Sequence, residues 1–195
     1  DGLLYDLNSP EAFEEVFFST FKNDLNLGIK FQKYVQLVLI KTKRNKYLSK
    51  NNYNYKRIEL LQNIFPQAKI VIPFRDPLQQ AYSMYRQHIN FKNKQNNNDF
   101  ILKYTNYLGH HEFGNNHLPW FKPIFYKEPE NINYWLEQWY LYYNNIFLKK
   151  ILNNSIIISY DKLCQSKKYQ IAVLKKLKIN KDINFEFSIN KRNID

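Results

Sequence analysis

The chain has a single cysteine, Cys164, among 195 residues. It has no partner for a disulfide and cannot build a Cys-ligated zinc module. Glycine is scarce as well, at four residues, and neither a Gly/Ser linker nor a repeat period divides the chain. The longest apolar run, Val35 to Ile40, contains Gln36 and falls far short of the roughly 20 residues that cross a membrane. No secretory leader is visible, although the chain begins at Asp1 and not at Met; a cytoplasmic protein is expected. A chain of this length can bury about 70% of its unfolded surface without staples. One domain over residues 1–195 is therefore expected. Acidic residues are the minority, 17 against 29 Lys and Arg, for a formal charge of +12. Such a field favours polyanions: nucleic acid, anionic membranes, acidic glycans or a phosphorylated cofactor. A Lys-rich bias of composition would give the same excess, so charge alone selects no ligand.

Helical spacing is clearest after Asn8-Ser9-Pro10-Glu11, where Ser9 can cap and Pro10 suits the first helical position. Phe13, Val16, Phe17 and Phe21 then form an apolar stripe. Further helices are predicted over 31–42, 55–65, 78–89, 100–108, 132–152 and 165–177. A short strand is predicted at 46–49, a polar loop at 93–99, and buried strands at 68–74 and 155–159. Strands separated by helices indicate an α/β fold with parallel strands.

Ligands of such sheets bind beyond the carboxyl ends of the strands, and Arg75 of Arg75-Asp76-Pro77 stands at one of these ends. A guanidinium clamps phosphate through two parallel hydrogen bonds, and the hydroxyl of Ser83 in the following helix could add a third. Taken alone, the triplet is equally an Asp helix cap beside a surface Arg. Its surroundings narrow the choice. Arg-Asp-Pro followed by Ser83 resembles the 3′-phosphate-binding segment of sulfotransferases that use 3′-phosphoadenosine 5′-phosphosulfate (PAPS). A bacterial family of these enzymes is similar over Ser9 to Val16, Lys46 to Asn54, Pro73 to Leu78, Gln87 to Phe91, Leu108 to Gly114, Asn133 to Trp135 and Tyr160 to Leu163.

The resemblance implies a P-loop-NTPase-like sulfotransferase fold, a short parallel sheet flanked by many helices. It also implies transfer of a sulfonate from PAPS to a hydroxyl or amine acceptor (carbohydrate, metabolite or protein), with no metal required. One element is missing from the match. The Gly-rich phosphosulfate loop that follows the family's first strand has no counterpart here, so the expectation is a truncated domain that starts after it. The alternative is a non-catalytic anion- or nucleic-acid-binding module on the same scaffold. The basic residues are scattered and no RNA-binding or helix-turn-helix pattern is present, so nucleic acid is not the expected partner.

Sulfuryl transfer, like phosphoryl transfer, depends on positioning and on positive charge around the migrating group. By the same resemblance Lys50 supplies that charge, and Arg75 and Ser83 hold the 3′-phosphate. The family's cytosolic members place a His base two residues after the lysine, but here that position is Asn52, which can orient an acceptor and cannot take its proton. Within this chain His110, His111 and Glu112 are the candidates for that step. His110, His111, Glu112 and His117 do not show the spacing of a helical metal-binding pair. His88 is expected to be structural. Glu14 and Glu15 read as helix-dipole partners, and the Trp135 to Tyr143 aromatics as core.

Overall fold

Asp76 and Pro77 fix the start of the longest helix. The Asp76 carboxylate accepts from the backbone N–H of Gln79 at 2.9 Å, and Pro77 occupies the first helical position, where its missing N–H costs nothing. The computed structural model describes residues 13–148 and 155–179. In chain order these form α1 (Glu14–Thr20), α2 (Leu27–Thr42), α3 (Ile58–Ile64), β1 (Ile70–Phe74), α4 (Pro77–Asn97), α5 (Asp99–Tyr107), α6 (Ile132–Leu148), β2 (Ser155–Ser159), α7 (Tyr160–Gln165) and α8 (Lys167–Lys176). The cap expected of Ser9 and Pro10, and the last turn expected near residue 152, lie outside the described residues.

β1 and β2 pair in parallel from Ile70↔Ser155 to Phe74↔Ser159. Both strands were expected to be buried on both faces, and the structure corrects this. Ile72 is 2% exposed, but Val71 is 40% exposed and Ile157 37%. Side chains alternate between faces, and each helix covers a different strand. Tyr143 and Ile146 of α6 pack on Ile72, whereas Val173 of α8 packs on Ile156 and Ile158. The cover is diagonal, with α6 over β1 on one face and α8 over β2 on the other. A second cluster, Ala81, Met84, Tyr134 and Trp135, joins α4 to α6, and a third gathers Phe18, Phe31 and Val35 around α1 and α2. Each of the large side chains, such as Phe18, Phe31, Ile72 or Met84, contributes about 1.5–3 kcal/mol when fully buried.

Two further expectations are corrected, and a third is met. Residues 46–49 form no strand and join no ladder among the described residues. The polar run at 93–99 is not a loop, because α4 continues to Asn97 and Asn98 caps α5 by accepting from Phe100 N–H at 2.9 Å. Gln95, in the middle of that run, is buried, donating to Thr105 Oγ1 at 3.0 Å and accepting from Asn115 N–H at 2.7 Å. Finally, the helix expected over 165–177 is α8, preceded by the separate α7. Ser159 and Ser166 cap the two, accepting from the N–H groups of Lys162 and Tyr169. Among the described residues no helix is long and apolar enough to cross a membrane.

Candidate active site

A cavity of about 550 Å³ opens beside β1, within the usual size range for small-molecule sites. One wall is β1 itself: Ile70, Val71, Ile72 and Pro73 all line it. Residues from both faces of the strand are included, so the cavity follows the strand edge away from β2. The stretch from Tyr47 to Asn52, which includes Lys50, lines it as well.

That stretch is held by side chains. The Glu14 carboxylate accepts from the Tyr47 hydroxyl and from Ser49 Oγ, the latter at 2.7 Å. Glu15 accepts from Asn51 Nδ2 at 2.8 Å and pairs with the Arg57 guanidinium. Glu112 accepts from Asn52 Nδ2 at 2.9 Å. Glu14 and Glu15 therefore anchor the segment that carries Lys50, a role the helix-dipole reading missed. The pairings span 33 to 60 positions, and no local pattern announces them. Tyr47 gives up its proton less readily than a free tyrosine, because burial and then the neighbouring Glu14 carboxylate oppose a second negative charge there.

Arg75 leaves β1 at its carboxyl end, and its guanidinium lies 4.8 Å from the ring centre of Tyr160, the first residue after β2. The carboxyl ends of the two strands thus share one basic, aromatic corner. Ser83 is half-buried in α4. Neither Arg75 nor Ser83 lines the cavity, and neither do His110 and His111. His110 is close to Glu112, Nδ1 to Oε2 3.7 Å, with its side chain 46% exposed. His111 Nδ1 is buried without a hydrogen-bond partner. Glu112 is 5% exposed. Burial alone would raise its carboxyl, but the His110 ring, its own backbone N–H and Asn52 outweigh burial and hold it below the usual carboxylate range. Among the described residues no group of three His, Cys, Asp or Glu side chains is placed to hold a metal ion.

A family model described as the sulfotransferase family matches residues 12–122, more than half of the chain. The chain belongs to the sulfotransferase family. The matched span contains Lys50, Arg75, Ser83, His110 and His111 and ends before α6. No curated protein and no solved structure matches the chain. A family of sulfonate transferases requires a donor and an acceptor.

His88 and His117 serve the fold. His88 Nδ1 accepts from Gly114 N–H at 3.3 Å, and His117 Nε2 lies 2.6 Å from the Tyr134 hydroxyl. Their rings meet edge to face, 5.3 Å between centres. Burial, and then the neighbouring His88, depress His117 to about 4; burial also depresses His88. In the unfolded chain a histidine takes up its proton near pH 6.5. The contribution of these two rings to stability is therefore complete above about pH 6.5 and is lost in part as pH falls from there towards about 4. Urea midpoints at pH 7 and pH 5 should show this loss, and His117→Gln should reduce the difference.

Proposed function

We propose that this chain transfers a sulfonate from PAPS to a hydroxyl or amine acceptor, as one domain of P-loop-like architecture. The observation that carries the reading is the cavity itself. Lys50 lines it, and so does β1, the strand that Arg75 follows. A lysine beside the migrating sulfonate and an arginine for the nucleotide phosphate are the charges such a transfer requires. Among the described residues the edge of β1 away from β2 pairs with no other strand. Arg75, with Ser83 on α4, would hold the 3′-phosphate, and Tyr160 keeps the guanidinium at the strand end. The donor supplies an activated sulfonate. His110 and His111 are this chain's candidates for acceptor-proton removal; His110 lies beside Glu112, whose other oxygen accepts from Asn52 in the cavity wall.

Calorimetry with 3′-phosphoadenosine 5′-phosphate and its 3′-dephospho analogue tests the nucleotide half of the reading. Arg75→Ala should weaken the 3′-phosphorylated ligand by about 1.5–3 kcal/mol, the scale of a charge-assisted bond. Ser83→Ala should cost about 0.5–1.5 kcal/mol, since one side of its bond is neutral. Equal affinity of the wild type for both ligands would remove the role given to Arg75.

A further inference from the structure

Two asparagines follow Lys50, and carboxylates hold them in different ways. Asn51 uses both ends of its amide: Nδ2 donates to Glu15 Oε1 at 2.8 Å, and Oδ1 accepts from Tyr53 N–H at 2.8 Å. Asn52 also donates through Nδ2, to Glu112 Oε1 at 2.9 Å. Among the described residues this is the one hydrogen bond its side chain makes. Asn52 is exposed and lines the cavity with Lys50, whereas Glu112 is buried.

A carboxylate only accepts. Turning the Asn52 amide over would set two oxygens against each other, so Glu112 permits one orientation of it. Glu112 is itself kept ionised and in place, with the His110 ring 3.7 Å from its other oxygen. We propose that Glu112 is a positioning residue that locks the Asn52 carboxamide with Nδ2 inward, leaving Oδ1 on the cavity side to accept the hydrogen bond of the attacking hydroxyl or amine. The proposal rests on the sulfonate-transfer reading for the identity of that group, but the lock itself does not. Asn52 takes no proton in this role: the acceptor's proton is released to a base or to solvent as its bond to sulfur forms and the bond from sulfur to the donor's phosphate oxygen breaks. It fixes the direction of the acceptor's O–H or N–H, and so of the lone pair that must approach the sulfur in line. An acceptor with an O–H or N–H suits the site better than a tertiary amine or an ether, which have nothing to donate.

Two measurements test the inference on the full chain. The first is the side-chain amide spectrum of ¹⁵N-labelled protein. In the wild type the two Asn52 Nδ2 protons should be well separated and slow to exchange, and Glu112→Ala should collapse them towards solvent-like positions. Wild-type signals already at those positions would overturn the lock. The second is sulfonate transfer from PAPS to 4-nitrophenol and to glucosamine, one hydroxyl and one amine probe. Glu112→Ala should lower kcat about tenfold or more, with the affinity for 3′-phosphoadenosine 5′-phosphate unchanged. Glu112→Gln, which can pair with Asn52 in either amide orientation, should fall between wild type and Glu112→Ala, and it serves if the alanine variant does not fold. Folded variants of Glu112 that keep kcat within twofold of wild type would overturn the positioning role. A wild type that neither binds the nucleotide nor transfers sulfonate would instead sink the sulfonate-transfer reading, and the amide spectrum would still uphold or overturn the lock.

Discussion

Replacing Lys50 by Met is expected to lower kcat by about 10²-fold or more, roughly 2.7 kcal/mol of transition-state stabilisation, while affinity for 3′-phosphoadenosine 5′-phosphate stays close to wild type. Methionine keeps the length and apolar stem of lysine and removes the charge. An ammonium acts most strongly where charge develops during transfer, and much less on a donor already held by its 3′-phosphate. Lys50 lines the cavity and Arg75 does not, so the two variants should separate: Lys50→Met in kcat, Arg75→Ala in nucleotide binding. Single-turnover rates with saturating PAPS would show the split. A Lys50→Met enzyme with full kcat would place the required charge elsewhere. In the same assay His110→Asn and His111→Asn should remove the acidic limb of the rate profile if either ring takes the acceptor proton. If both keep the limb, the base is another group.

The second large effect concerns stability. Gly114 has φ +89°, and an added Cβ would lie 2.2 Å from Oε1 of Gln95. That oxygen already accepts from Asn115 N–H, and the same side chain reaches Thr105 from α4. Gly114→Ala must therefore strain a left-handed backbone and also push a buried amide off its partners. Destabilisation of about 2–4 kcal/mol is expected, read as a fall in the urea midpoint. Gln95→Ala in the Gly114→Ala background would relieve the clash but leave the backbone strain, so the double variant should cost less than the sum of the two single ones.

These two sites differ in how far the sequence announced them. Local chemistry was legible: Asp76-Pro77 starts α4 where its capping pattern says, and β2 begins and ends at the residues its apolar run marks. The Arg-Asp-Pro segment follows the carboxyl end of a strand, as its pattern requires. Pairings across long stretches of chain were not legible. Glu14, Glu15 and Glu112 are ordinary acidic residues in a linear reading, and only the folded chain brings them to one segment. The polar run around Gln95 reads as a loop because composition reports solvation. A single buried amide with two partners was enough to keep it helical. The apolar runs of β1 and β2 suggested full burial, but the diagonal placement of α6 and α8 leaves half of each strand open, and that open half of β1 forms a wall of the cavity.

The anchoring of the Lys50 stretch by α1 has a consequence for the order in which the molecule opens. α1 is seven residues long, too short to persist as a helix on its own, and the stretch from Tyr47 to Asn52 has no ladder of its own. Each holds the other through Glu14 and Glu15. Neither can fray alone, so the two form one cooperative opening unit. Loss of the first helix would set Lys50 adrift from the cavity while the sheet and α4 remained folded.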